Sequence, residues 1–438
     1  MRKVHKASSI QDFYKLDFGA MWRYFKSETV AFWMICAYLF LEYVRPQSIY
    51  PALDFLPWAQ LAILGALVGC FLDKSVRWVS SSINVLLIFF FLVILASSFF
   101  AYWPEISYGQ LQNFYTWLII YFLIINIVNT EQRLFIFICI FFASSFKLSF
   151  SLALTWAKRG FSFTDWGLSG PPGFFQNSGE LAIQMLVFWP LAWAFATQIK
   201  PYISKTKYFI IILMPITAIM VILGASSRGA QLALLVQLVA LNYKSIFRPK
   251  VILSCAFGFV LLWAFLPEEQ KERFEVVGND RTSQQRLLYW ENGFDMMNRN
   301  PALGVGYFNF VRYYESYYSD DMLYERAELP HNIFIQVGTD SGYIGLSIFL
   351  LLIFSARKKM RKAYKELNII NPKFSKIPVG FNLALLGFVI AGQFVTVAYY
   401  PFLWIHLALV VSFFKLLSSR DLKGKVHHGC FCDSSRIQ

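Results

Sequence analysis

The sequence predicts an all-α polytopic membrane protein of about 12 transmembrane helices, with one large outward-facing loop between the ninth and tenth. Three observations carry that prediction. Only 15% of the 438 residues are charged while 57% are hydrophobic, and the mean hydropathy is +0.48; a soluble domain carries about 25% charged residues. Apolar runs of roughly 17–22 residues recur along the whole chain, long enough as helix to cross a hydrocarbon core about 30 Å thick. Lysine and arginine gather in alternate connections. The runs lack the apolar–polar alternation that strands of a membrane barrel require.

Taken in order, the spans are expected near 29–44, 55–72, 83–101, 111–128, 134–156, 180–197, 208–225, 229–243, 251–266, 333–356, 380–399 and 401–417. The first, eighth and last are short, and 229–243 is either a tilted span or partly re-entrant. Residues 1–28 are polar, with no short apolar stretch and cleavage site of a signal peptide. With that segment inside, the inner connections hold 28 Lys and Arg and the outer ones 11, the asymmetry of the positive-inside rule. Lys147 falls within the fifth span. Segments 1–28 and 418–438 are then cytoplasmic, spans 1–9 occupy 29–266, spans 10–12 occupy 333–417, and 157–179 and 267–332 face outward. The net charge of +14 follows from this topology. Its densest run, Arg357–Lys362, reads as an anchor at anionic lipid, so the expected partner is membrane lipid and not nucleic acid. No internal repeat is visible, against a transporter built on inverted repeats.

Cysteine chemistry contributes little. Cys36, Cys70, Cys139 and Cys255 lie in apolar runs, Cys430 and Cys432 in the tail, and none in 267–332, so no disulfide framework is expected. The tail sequence His427-His428-Gly429-Cys430-Phe431-Cys432 has the residue types of a soft-metal site but reads as a basic tail.

The chemistry is expected in the segment 267–332, which holds 12 acidic and 7 basic residues. Within it Ser283–Asn298 has the spacing of an amphipathic helix, with Arg286, Trp290, Gly293 and Met297 on one face. Leu287, Phe294 and Met296–Met297 give it apolar surface to rest on the membrane or the bundle. Asn300-Pro301 ends the helix and Gly304-Val305-Gly306 forms a tight turn. The segment closes on Leu329-Pro330-His331-Asn332, where Pro330 breaks the chain just before the tenth span. Of the five histidines His331 is the one in an outward position; His5, His427 and His428 lie in the tails, and His406 lies within the last span, packed or pore-lining. An imidazole titrating near 6.5 accepts a proton at neutral pH.

Other polar positions leave alternatives open. Arg228, in Ser226-Ser227-Arg228-Gly229 between two apolar spans, is either an interfacial anchor or a planar fork for two phosphate oxygens. Arg286 is either a solvated charge or a second such fork. Asp340, inside the tenth span, either anchors a polar network or pairs with Lys147. Ser169–Asn177 cannot continue a helix and serves as a lid, a substrate wall or a plain connector. Glu42 and Arg45 set an acid and a base at the outer interface. Glu42 with Asp320-Asp321 has carboxylates enough for Mg²⁺ or Mn²⁺, but no D-x-D or HExxH motif supports it, and no metal or other cofactor is assigned.

Three of these stretches carry a family likeness. At Ser227-Arg228-Gly229, at Arg286-Leu287-Leu288-Tyr289-Trp290 with Asn300-Pro301-Ala302-Leu303-Gly304-Val305-Gly306, and at Pro330-His331-Asn332 followed by Gly338, Gly342 and Gly345-Leu346, the sequence resembles the O-antigen ligase/polymerase family of bacterial membrane glycosyltransferases. The resemblance implies an inner-membrane enzyme that transfers a glycan from an undecaprenyl-diphosphate carrier to an acceptor hydroxyl at the periplasmic face. It implies that Arg228 and Arg286 contact the diphosphate and that His331 activates the acceptor. The expected substrate-binding set is Arg228, Arg286, Trp290 and Asn332. Lipid A-core ligation is the first expectation; polysaccharide polymerisation and O-glycosylation of protein are the alternatives within the family, and a lipid-linked oligosaccharide flippase the alternative outside it. Transfer is expected to be metal-independent and inverting, with an apolar groove for the polyprenyl chain between helices near Arg228.

Overall fold

The computed structural model describes residues 9–162, 167–243, 248, 253 and 280–429, with side chains to 419. Among these residues every regular element is helical. The helices are α1 (Ile10–Tyr14), α2 (Phe18–Lys26), α3 (Val30–Val44), α4 (Pro46–Ile49), α5 (Trp58–Leu72), α6 (Ser82–Phe99), α7 (Pro104–Ile127), α8 (Glu131–Lys158), α9 (Ser178–Ile199), α10 (Lys205–Gly224), α11 (Arg228–Leu241), α12 (Arg281–Arg299), α13 (Phe310–Tyr317), α14 (Ile333–Ile370), α15 (Lys376–Ala391) and α16 (Pro401–Gly429). Among the described residues, eight helical stretches are long and apolar enough to cross a membrane, and the architecture is that of a polytopic helical membrane protein. The predicted ninth span (251–266) apart from residue 253, residues 267–279 of the long loop, Cys255, His5, Cys430 and Cys432 lie outside the described residues.

Helix starts follow local chemistry. The side chains of Ser81, Thr130, Ser204 and Ser227 each accept a hydrogen bond from a backbone N–H of the first turn, satisfying donors that have no partner within the helix. Several boundaries differ from the sequence reading; α7 starts at Pro104, seven residues early, and α15 at Lys376, four early. α14 runs on to Ile370, because Ala356, Met360, Ala363 and Leu367 continue a buried stripe after the apolar run has ended. α15 stops at Ala391, and 392–400 form an irregular stretch ahead of Pro401.

α9 is the central helix, 83% of its most apolar window being buried, whereas α5 is peripheral at 22%. Pro190 inside α9 has no N–H, so the Leu186 carbonyl loses its helical donor. Gln237 of α11 supplies one: its Nε2 donates to Leu186 O (2.9 Å) and to Leu383 O of α15 (2.7 Å), while its Oε1 accepts from Trp189 Nε1 (2.7 Å). One amide thus joins three helices. At one end of the bundle Arg133 is held by Glu28 (2.6 Å) and Asp73 (3.4 Å), all three side chains nearly fully buried. Removing one partner from such a cluster costs about 3–5 kcal/mol, since it strands the others.

The opposite end gathers the C-termini of α3, α6, α8, α10 and α15 and the N-termini of α5, α7, α9, α11, α14 and α16. Its connections are tied together: Arg45 donates to the Pro172 carbonyl, Leu168 N to Gly224 O (3.1 Å), Tyr102 N to Val305 O (3.2 Å) and Ile333 N to Gly392 O (2.8 Å).

At this end α14 is broken. Ser341 and Gly342 have non-helical angles, Gly342 with φ +64°, which leaves backbone groups within the bundle without helical partners. The segment after α12 supplies them: Val305 N donates to Thr339 O and Tyr343 N to Pro301 O, both at 2.8 Å. Gly304, with φ +71°, is required here, because a β-carbon would lie 2.1 Å from Thr339 O. Asp340 completes the joint; its Oδ1 accepts the Phe308 N–H (3.1 Å) and its carbonyl the Ser97 hydroxyl (2.5 Å). Asp340 is therefore a network anchor. Lys147 stands exposed on α8 and forms no ion pair among the described residues, so the alternative pairing of the two is set aside.

Candidate functional site

Arg228 and Arg286 arrive from two helices, and His331 from the turn ahead of a third, at the end where α14 is broken. Ser226, at φ +54°, turns the chain out of α10, and Ser227 caps α11 so that Arg228 is its first residue. Asp280 caps α12 through Ser283 N (2.9 Å) and Ser283 Oγ (2.6 Å). The same carboxylate meets Arg228 Nη2 at 3.5 Å and so ties the start of α12 to the start of α11.

The predicted helix around Arg286 is present and slightly longer, and its predicted face is its packing face. Gly293 seats against Ile335 and Met297 against Gly338, both residues of α14. Leu287 and Phe294 point away and are exposed. Trp290 Nε1 donates to Pro330 O (2.9 Å), and the Tyr289 hydroxyl accepts from Glu328 N (2.8 Å). These two bonds hold the approach to His331 from one side. From the other, His331 N donates to Thr396 Oγ1 (2.8 Å). Asn332 Oδ1 accepts from Phe334 N (2.9 Å) and Ile335 N (3.3 Å) as the cap of α14. His331 itself sits at φ +51°, a left-handed conformation that non-glycine residues hold only when their surroundings impose it. Phe394 bridges the two sides, against Gly229 of α11 and 6.4 Å from the Trp290 ring.

The electrostatics follow from this packing. Burial first, and then the charge of Arg228, pull the Arg286 pKa below its ordinary value, with Asp280 and Glu328 opposing. Its Nε is buried and makes no hydrogen bond among the described residues. Burial, and then the charge of Arg286, lower the His331 pKa, with the Glu328 hydrogen bond opposing. The two arginines and the histidine therefore lie within one another's fields in sequence, Arg228 on Arg286 and Arg286 on His331. His331 Nε2 lies 3.0 Å from Glu328 Oε2. A carboxylate only accepts, so in the neutral ring Nε2 carries the proton and Nδ1 is the basic nitrogen.

This arrangement sets a pH dependence. With the histidine pKa below 6.5, the neutral ring dominates above that pH and is lost as pH falls through the depressed value. The acid limb of activity is thus expected below pH 6.5. Replacing Glu328 by Gln removes the interaction that raises the pKa, so the limb moves to still lower pH. A pH–rate profile of Glu328→Gln whose limb moves upward counts against this arrangement.

Trp290 and Asn332 both use their polar atoms on the backbone around His331, and so hold it in position. The Ser169–Asn177 stretch folds back on itself through Gly170 N to Phe175 O (2.8 Å). With Arg45 on Pro172 and Leu168 on Gly224, it forms a wall at the end of the bundle that carries Arg228. His406 is packed, its ring against Phe381 at 5.4 Å. Asp321 is engaged by Asn292 Nδ2 (2.8 Å), and among the described residues no three His, Cys, Asp or Glu side chains cluster as metal ligands would.

Sequence reasoning missed three members: Glu328, Asp280 and Thr396. Glu328, three residues before His331, and Asp280, three before Ser283 at a helix start, left local signals. Thr396 left none, because it reaches His331 only through the fold. Next to the site, with Leu329 and Thr396 in its wall, opens a cavity of about 640 Å³ that neither arginine lines.

Residues 213–350 match the family model described as O-antigen ligase, a stretch that includes Arg228, Arg286 and His331. No curated protein matches the chain.

Proposed function

We infer, from the match of residues 213–350 to the O-antigen ligase family model, that the protein is a membrane glycosyltransferase taking its glycan from undecaprenyl diphosphate. The acceptor is a hydroxyl, with the oligosaccharide core of lipid A as the first reading. The supporting observation is the pair of arginines beside a neutral histidine, one guanidinium having a buried Nε–H without a partner among the described residues. In this reading 267–332 is the periplasmic catalytic loop of an inner-membrane protein whose termini are cytoplasmic, as the charge asymmetry requires.

The chemistry is a single displacement. The acceptor oxygen forms a bond to the anomeric carbon as the bond from that carbon to the phosphate oxygen breaks. The hydroxyl proton passes to His331 Nδ1, and the carrier departs as undecaprenyl diphosphate. Negative charge grows on that leaving group, and preorganised cations in a site largely closed to water stabilise it as it forms. Arg286 and Arg228 supply those cations. The His331 ring is hydrogen-bonded to a carboxylate and to no Ser or Cys among the described residues, which favours a base acting on an external hydroxyl over a covalent intermediate. Inversion follows.

The test is reconstitution of the full chain in liposomes with glycan-bearing undecaprenyl diphosphate and lipid A-core. Products are read by mass spectrometry, with and without EDTA. The expected result is glycosylated lipid A-core in both conditions. Glycan lengthened on its own carrier, or attached to Ser or Thr of an added protein, reassigns the acceptor within the family. Carrier moving across the bilayer with no new glycosidic bond overturns the reading.

A further inference from the structure

The 640 Å³ cavity beside His331 is used by nothing described so far. It shares a wall with the site, because Thr396 both lines it and accepts the His331 N–H. Its volume lies within the roughly 300–1,000 Å³ of small-molecule sites. Away from the site, Ile63 and Leu67 of α5 and Ile119 of α7 make it apolar. Leu64 lines it and is also 57% exposed, so the cavity opens sideways along α5.

Toward the site its chemistry changes. Glu42 of α3 brings a carboxylate, and Asn113 and Thr116 of α7 bring an amide and a hydroxyl. Gln336 of α14 accepts Ala398 N–H (3.1 Å) through its oxygen, while its amide nitrogen has no partner among the described residues. Two tyrosines in the wall are buried, Tyr38 at 1% exposure beside Glu42 and Tyr399 at 3% beside Asp340. Their phenols add polar groups to this end of the cavity, where a ligand's polar atoms find partners. Trp117, Phe174 and Tyr400 stand together as an aromatic wall, with Phe174 at 5.6 Å from Trp117 and 4.9 Å from Tyr400.

A polyprenyl or acyl tail uses none of these polar groups, and no Lys or Arg is among the described residues lining the cavity to receive a diphosphate. A sugar ring matches them all, its hydroxyls to the carboxylate, amides and phenols, its apolar face to the aromatic wall. We propose that this cavity is a saccharide-binding chamber, with Glu42 as its selecting carboxylate, and that it presents a hydroxyl of the acceptor sugar to His331. The saccharide assignment stands on the cavity alone; its identification with the acceptor rests on the transfer reading above.

The experiment is saturation-transfer NMR on the full chain in lipid nanodiscs. The probes are free hexoses, N-acetylhexosamines, heptoses and uronic acids. At least one sugar is expected to bind wild type. Glu42→Gln weakens it about two- to tenfold, as loss of a hydrogen bond does, and Thr116→Trp, which fills the chamber, abolishes it. Arg286→Ala leaves it unchanged. No sugar bound to wild type, or sugar binding untouched in correctly inserted Glu42→Gln and Thr116→Trp, overturns the chamber. Displacement of the sugar by undecaprenyl phosphate assigns the cavity to the tail and overturns it equally. Because none of these readings requires turnover, they stand apart from the fate of the transferase reading. In the transfer assay Glu42→Gln is expected to raise KM for the acceptor with little change in kcat. A rise confined to the donor KM places the donor's glycan in the chamber and overturns the acceptor half.

Discussion

Replacing His331 by asparagine is expected to lower the transfer rate about 10²–10⁴-fold, the contribution typical of a positioned general base. Asparagine is the informative choice because it tolerates the left-handed backbone that His331 occupies at φ +51°. Alanine there adds backbone strain to the loss of the imidazole, and a fall in rate then has two causes. Asparagine also leaves the backbone N–H to donate to Thr396. The loss should fall on kcat while binding of undecaprenyl-diphosphate glycan persists, measured by titration of the inserted protein. A wild-type rate removes His331 from the chemistry.

Arg286→Ala is expected to lower kcat by about 10²–10³-fold, the cost of one preorganised donor to a developing anion. Arg286→Lys restores charge without the planar fork and is expected to recover only part of it. A second readout separates this role from general damage. After burial, the Arg286 charge is the second cause that depresses the His331 pKa, so its removal raises that pKa and moves the residual activity's acid limb to higher pH. Loss of rate with an unmoved limb means that Arg286 does not act beside His331. Arg228→Ala should combine with Arg286→Ala less than additively, since both act on one anion.

Much of this site was legible because membrane helices leave few places for charge. An apolar chain makes a lone Arg at a span boundary, an Arg on an amphipathic outer helix and an outward His conspicuous, and all three converge. The face predicted for the helix around Arg286 is the one packed on α14, because small and flexible residues, Gly293 and Met297, are what a close crossing needs. What stayed hidden is tertiary. The stretch Gly392–Tyr400 is apolar and β-branched, so hydropathy extends the eleventh span through it; instead it leaves the helix and delivers Thr396 to His331. The break at Ser341–Gly342 is equally silent, since an apolar run with small residues reads as an unbroken helix. Its partner groups lie some forty residues earlier in the chain. Arg228 looked like either an anchor or a phosphate fork, and its ion pair with Asp280 explains why: it is held at the boundary and remains beside Arg286.

The interrupted helix also constrains biogenesis. Its broken turn is completed by Pro301 and Val305, which the ribosome makes before it makes Ser341 and Gly342. Nascent α14 thus follows the segment that completes it, and its broken turn gains these hydrogen bonds only from that earlier segment. A protein severed between residues 309 and 333 and supplied as two pieces would have to find this joint by collision instead of by order of synthesis.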